Sequence, residues 1–595
     1  MSWEVRTMQS KTSCFNGTVF RKTLSRCWPL WAATTLVLIF LLPVGLLDCT
    51  SPGAFAFDQS ITSVLRSYTL GSAASLAPLA CLLGLVFGWA TFSFLFNKRG
   101  TGLMASLPVR REGLFCSSLL AGVVMLLSAG LLAAVLGAAV TLLRGVHDLT
   151  AVAAWFGIWT LESLTMYAIG VFCAMLTGSA LVLIPLYVLV SFGGIVLGLL
   201  LQRMALLLLV GVPRDGTLAA FEWLGWLSPC WRMIYGVLVT DSLWELQWKM
   251  HLIYFAAAAA LTVGSLLLFK RRPMECAQEP VTSKRLGQAL KYIVTFYCAL
   301  GFPTFIALMF GGGTTSAVGL VLLVGLGAVI GYLISEMILR KSVQVLKTSW
   351  KGMLVTAAVA CLVVGAMKLD VFGYVHRVPA PEKVERAEVT AWLQMSAEIE
   401  DADALQALTE LHRDLIEVQE PDGFGAVDLQ ITYHMKDGST LRRAYVVPDE
   451  PGRSGNYGDR LRTLLKRTDV MDLSLVPMRA PTAKVIEFAE ISWTKPLDDE
   501  TDSEEYTGDY VAHQLTAAQA LDLFENAILP DLEAGAFQSW IIGEYEVVYP
   551  SAPEISFSLI WPDTGSQYLC YVITPEATHT IAWLTAHGYE IPGLE

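Results

Sequence analysis

Runs of apolar residues long enough to cross a bilayer recur along the first 369 residues of this chain. They lie at 28–47, 73–96, 113–143, 151–176, 180–201, 251–269, 290–310, 317–338 and 352–369. A helix rises ~1.5 Å per residue, so ~20 residues span a hydrocarbon core ~30 Å thick. Inside a bilayer no water can satisfy backbone amides, and a helix is the one local structure that satisfies its own. With 54% hydrophobic residues and a mean hydropathy of +0.53, the chain reads as a polytopic α-helical membrane protein of about nine spans. The third run, near Gly130, and the fifth, beyond Leu201, are over-long and are expected to kink or break.

Charge divides the chain in two. From His376 onward there are 15 Lys/Arg and 39 Asp/Glu, and before it 26 and 14. The first part is membrane-embedded with basic loops; the second is a water-soluble acidic domain of about 220 residues, enough for its own core. An acidic domain repels phosphates, which argues against a nucleic-acid partner. The N-terminus reads as uncleaved, because about 26 residues precede the first apolar run and no small-residue cleavage site follows it. Of eleven cysteines, Cys49 and Cys230 share a predicted face, and two free thiols are expected there.

The bases cluster between alternate runs: Lys11, Arg21, Lys22 and Arg26; Lys98, Arg99, Arg110 and Arg111; Lys270, Arg271, Arg272, Lys284 and Arg285; Arg340, Lys341, Lys347 and Lys351. The positive-inside rule makes that face cytoplasmic, with the N-terminus inside and the acidic domain outside. Within the second cluster Leu103, Met104 and Leu107 form a small apolar stripe, Pro108 ends it, and Arg110–Glu112 open the next span. A short amphipathic helix pinned between two spans suits a lever held in the groove of a soluble ATPase. A plain topological role for the same bases stays open.

Glu162 lies near the middle of the fourth run, followed by Ser163, Thr165 and Tyr167. A carboxylate there costs ~2.5–3.5 kcal/mol on insertion scales and needs a partner or water. A polar patch on a translocation path or subunit interface and a structural hydrogen-bonded Glu both remain open. Glu336 has Arg340 at i+4, an expected helix-surface ion pair. Between runs five and six, Trp223, Trp226, Trp231 and Arg232 suggest short helices at the outer leaflet, serving as an interfacial anchor or lining a substrate path.

In the acidic domain, Glu388–Met395 and Lys484–Trp493 read as strands, and Asp403–Val418 and Ala517–Leu532 as amphipathic helices. Leu429–Val447 and Ile555–Ile573 read as hairpins, each followed by a helix, at Asp459–Arg467 and Glu576–His587. The order strand, helix, hairpin, helix occurs twice and predicts a tandem α+β repeat. The acidic run Asp498–Asp509 lacks the glycine and terminal Glu of a calcium loop and reads as a solvated loop. No catalytic or metal-binding constellation is legible. No phosphate-binding loop is present either, since the chain contains no Gly-Lys dipeptide.

Several stretches carry a resemblance. SLPVRREG follows the second run, LTGS (Leu176–Ser179) the fourth, LSP (Leu227–Pro229) precedes the sixth, and FKRRPMECAQEP (Phe269–Pro280) follows it. In this order they resemble an ABC-2 type permease, the membrane subunit of bacterial ABC transporters. The three further runs and DVFGYVHRVP (Asp370–Pro379) resemble its Ytr-like branch in Gram-positive bacteria, with an extracytoplasmic C-terminal domain. The resemblance implies a cytoplasmic segment (1–27), a six-helix core (28–270), a cytoplasmic linker (271–289), three added helices (290–369) and the external domain (370–595). It further implies a second permease subunit, identical or not, and cytosolic ATP-binding subunits that hold ATP and Mg, this chain needing no cofactor of its own. ATPase coupling would fall to Lys98, Arg99, Leu103, Met104, Leu107, Pro108, Arg110, Arg111 and Glu112. The expected function is export or extraction of an amphipathic, antibiotic-like or envelope-related molecule. The alternative is an envelope sensor whose external domain binds a ligand and whose helices anchor or relay.

Overall fold

A computed structural model describes residues 15–51, 61–73, 75–106, 108–213, 222–239, 247–309, 317–371, 373–391, 395–416, 426–448, 457–465, 476–477, 479–495, 509–537, 553–561 and 565–589. Leu107, Gly311–Ser316 and most of the acidic run at 498–509 lie outside these. The chain forms two compact units. The first comprises Met1–Met204 with Leu218–Gly365, the second Ala205–Thr217 with Ala366–Glu595.

Among the described residues of the chain, nine helical stretches are long and apolar enough to cross a membrane. The first is α1 (Gly17–Ile39), prolonged by a π turn at Phe40–Val44 and a turn at Gly45–Asp48. The second is α2 (Ile61–Ala73) with α3 (Leu76–Thr91). A short helix, α4 (Lys98–Ser106), precedes α5 (Arg111–Leu143), α6 (Thr150–Leu176) and α7 (Ala180–Leu208). A single turn at Glu222–Gly225 and α8 (Pro229–Val239) lead to α9 (Gln247–Arg271). Then come α10 (Lys284–Met309), α11 (Ala317–Arg340) and α12 (Leu346–Lys368).

The interruptions fall elsewhere than the apolar pattern suggests. α5 runs unbroken through Gly130, which leaves room for the Trp159 ring; that indole donates to Leu126 O at 3.0 Å. α7 is likewise continuous past Leu201. The first span is the one that bulges, where Pro43 cannot donate its helical hydrogen bond. The first helix also begins at Gly17, capped by Asn16, so part of the expected N-terminal segment is helical.

Glycine allows α3 and α6 to approach closely. A Cβ on Gly84 of α3 would sit 2.5 Å from the Met166 backbone of α6, and one on Gly170 would sit 2.3 Å from Gly84 O. Backbones approach this closely only where no side chain intervenes.

The second unit is two copies of one design. The first sheet has the order β2-β1-β3-β4, built from β1 (Val384–Ala391), β2 (Met395–Ile399), β3 (Ala426–Met435) and β4 (Thr440–Pro448). The second has the order β6-β5-β7-β8, from β5 (Ile486–Lys495), β6 (Asp509–Gln514), β7 (Glu554–Trp561) and β8 (Gly565–Val572). Each leading strand is bulged near its start, between Val384 and Arg386 and between Ile486 and Phe488. Helix α13 (Ala402–Leu415) separates β2 from β3, and α14 (Tyr457–Leu465) follows β4. Their counterparts are α15 (Ala517–Leu523, continued through Phe524–Ile528 and Leu529–Glu533) and α16 (Thr578–Ala586). One correction concerns β1 and β2: the single strand expected at 388–395 is a hairpin, and so is its counterpart β5–β6.

Alternation of strands and the i, i+3, i+4 spacing of Leu405, Leu408, Leu411 and Leu415 bury one face of each element in a common core. Inside it, His412 sits between the hydroxyls of Tyr433 (3.1 Å) and Tyr445 (2.8 Å). Arg443 is buried on the same face; it donates to Tyr374 O at 2.8 Å and lies over the Tyr374 ring. Asp370 fixes the preceding turn by accepting from the backbone N–H groups of Tyr374 and Val375.

Candidate functional site

The first unit brings together, at one end of its helices, the basic segments that are far apart in sequence. α4 starts after a 3-10 turn at Ser93–Phe96. Thr101 fastens it by donating to Phe94 O at 2.7 Å, and Arg99 N donates to Asn97 Oδ1. Met104 packs toward the core, whereas Leu103 is 65% exposed. The described part of the predicted apolar stripe is thus split: one residue anchors and its neighbour faces out. Lys98, Arg99, Pro108 and Arg110 are exposed.

Two arginines then cap helices other than their own. A helix leaves its last four carbonyls unsatisfied, with a partial negative charge around them. Arg111, at the start of α5, donates to Lys270 O (2.9 Å) and Arg272 O (3.0 Å) at the end of α9. Arg272 donates to Ala174 O (2.8 Å) and Met175 O (3.2 Å) at the end of α6. Arg272 is buried, and its Nη2 has no hydrogen-bond partner among the described residues. Burial pushes the Arg272 guanidinium down to about 10. Glu112 pairs with Lys270 at 2.6 Å.

The LTGS turn completes the junction. Thr177 Oγ1 donates to Pro280 O at 2.7 Å, Gly178 N to Glu279 O, and Gln278 N to Gly178 O. A side chain at Gly178 would collide with Cys276 O at 1.9 Å, which accounts for the glycine. Lys341 reaches Glu279 at 3.0 Å, drawing in the end of α11.

A second cluster lies within the helices. Glu162 is wholly buried, and its Oε1 is 3.0 Å from Nε2 of His251, itself 1% exposed, near the start of α9. Among the described residues Glu162 Oε2 has no hydrogen-bond partner, nor have Thr160 Oγ1, Thr165 Oγ1 and Trp155 Nε1 on the same helix. Ser163, Thr165 and Tyr167 are all buried, and Thr165, at i+3, shares the Glu162 face of the helix. Tyr167 turns toward α3 and α5, meeting Thr91 Oγ1 at 3.1 Å and Leu119 O at 3.3 Å. His251 escaped the sequence reading. Its signal was a lone imidazole in an apolar run, the natural partner for an intramembrane acid.

Near the same start of α9, Trp223 and Trp226 are exposed and Trp231 is at the margin of exposure. The Arg232 guanidinium lies 4.8 Å over the Trp226 ring, and Tyr254 donates to Trp226 O at 3.0 Å. Glu336 makes the expected pair with Arg340 at 2.8 Å and also accepts from Ser349 at 2.8 Å. Cys49 and Cys230 are free thiols, like every described cysteine. Among the described residues no group of three or more His, Cys, Asp and Glu is placed to hold a metal ion.

No family model, no curated protein and no solved structure matches the chain.

Proposed function

We propose that this chain is the permease subunit of a bacterial ABC-2 type transporter of the Ytr-like branch, working with a second permease subunit and driven by ATP hydrolysed in a separate cytosolic protein. The observation that carries the reading is the junction of α4, α5, α6 and α9. An exposed basic helix is joined through Arg111 and Arg272 to the ends of two further spans. A push on α4 therefore reaches α6 and α9 through hydrogen bonds made to backbone carbonyls rather than through flexible side-chain pairs. On this reading the basic end faces the cytosol and the acidic unit lies outside the cell membrane. The cargo is an amphipathic or envelope-related molecule moved outward or drawn from the bilayer.

The test is co-expression with candidate soluble ATPases encoded beside the gene, purification through a tag on this chain, and measurement of ATP turnover. A stable complex whose turnover falls with Arg99→Ala or Arg110→Ala, while the protein stays monodisperse, supports the reading. Absence of any ATPase partner sinks it in favour of an envelope sensor.

A further inference from the structure

Apart from Val210, just past α7, and Leu369 and Val371, just past α12, the exposed large hydrophobic residues described in the second unit are Tyr510, Ile560 and Tyr568. All three lie on the outward face of the second sheet. Strand alternation puts Tyr510 on β6, Glu490 on β5, Glu554, Ser556, Ser558 and Ile560 on β7, and Tyr568 on β8 on that face. Both rings are tethered along the sheet. Tyr510 OH donates to Glu490 Oε1 at 2.9 Å, and Tyr568 OH to Ser556 Oγ at 2.9 Å. Even so, Tyr510 is 64% and Tyr568 66% exposed. The face is thus a pair of aromatic platforms fixed by their hydroxyls, with the carboxylates Glu490 and Glu554 between them.

Its electrostatics are one-sided. No Lys or Arg occurs after Lys495, while 18 Asp and Glu do. β6, β7 and β8 contain no Lys or Arg, and strand alternation puts His513 of β6 on the opposite face from Tyr510. Such a surface repels anionic polymers and attracts cations. Aromatic faces add cation–π attraction for ammonium and guanidinium groups.

We propose that this sheet face is a docking surface for an extended cationic peptide segment, whose lysines or arginines lie over Tyr510 and Tyr568 and pair with Glu490 and Glu554. The proposal stands apart from the permease reading, since it uses the second unit alone.

The test titrates full-length protein in nanodiscs with a synthetic dodecapeptide of alternating lysine and serine, followed by calorimetry at two salt concentrations. The expected result is saturable binding that weakens with salt and drops at least ~10-fold in Tyr510→Ala/Tyr568→Ala and in Glu490→Gln/Glu554→Gln. Asp403→Asn/Glu410→Gln, on α13, removes equal charge elsewhere and should change affinity less than ~2-fold. Tyr510→Phe/Tyr568→Phe keeps the rings and guards against loss of fold in the alanine variant. Equal losses in all acid-neutralised variants would mean diffuse attraction and overturn the proposal. So would binding of the lysine-acetylated peptide as tightly as its parent, or competition by a neutral chito-oligosaccharide, which would name a glycan as the occupant. Failure of the lysine peptide to bind overturns it outright.

Discussion

Among the described residues Glu162 has a partner for one oxygen and none for the other, so its energetics are lopsided. Removing one member of a buried pair leaves the other desolvated without compensation, whereas removing both costs little more. His251→Ala should therefore lower the melting temperature of the detergent-solubilised protein clearly, and Glu162→Gln/His251→Ala should not lower it much further. The double-mutant cycle should return a coupling on the order of 1–2 kcal/mol. Strict additivity would show that the two residues do not interact. His412 allows a second prediction at this scale. Burial, with the charges of Arg443 and Arg413, pushes its imidazole down to about 4. The unfolded chain titrates near ~6.5, so between that pH and about 4 it binds more protons than the folded one. The stabilisation is complete above ~6.5 and is lost as pH falls through the window, by on the order of 1–3 kcal/mol. His412→Gln should flatten the pH dependence of tryptophan-monitored unfolding in that range. An unchanged slope would assign it to other groups.

At the scale of elements, apolar run length is a nearly sufficient signal for spans, because the bilayer admits few alternatives. That is why all nine predicted runs overlap described helices. The same argument says nothing about where a span bends. Gly130 looked like a break, yet it serves the Trp159 ring, and the bulge follows Pro43 instead. The repeat in the second unit was legible from hairpins with clear turn residues, such as Asp437 and Gly438. The extra strands β2 and β6 were not, being short edge strands separated from their partners by connections with no turn signature. Long-range caps were equally invisible: nothing in the sequence pairs Arg272 with Ala174 O. A glycine contact gives the prediction proper to this scale. Gly170→Val must separate α3 from α6 and should cost at least ~2 kcal/mol, seen as loss of a monodisperse peak and a lower melting temperature. Gly264→Ala, with nothing within 4 Å, should be neutral or slightly stabilising. Equal behaviour of the two variants would show that the close approach is not tight.

The whole molecule is organised by charge. A stretch carrying 26 bases against 14 acids holds every span, and one carrying 15 against 39 follows the last. Positive loops are retained on the cytoplasmic side during insertion, while acids contribute little to the decision. The junction adds a physical link among these loops. The N-terminus of α1, α4, the LTGS turn and the segment after α9 all meet at one end; Asn16 N, for instance, donates to Ser117 Oγ. The basic clusters therefore act as one patch rather than as four independent votes. An alkaline phosphatase fused after Glu595 should be active in intact bacteria, and a fluorescent protein fused there should stay dark. The same fluorescent protein at the N-terminus should be bright. Exchanging Lys98, Arg99, Arg110 and Arg111 for glutamine removes only part of the patch, so it should reduce phosphatase activity partially without inverting it. A bright C-terminal fusion would place the acidic unit in the cytosol, and with it would fall both the permease orientation and the idea that α4 meets a soluble ATPase.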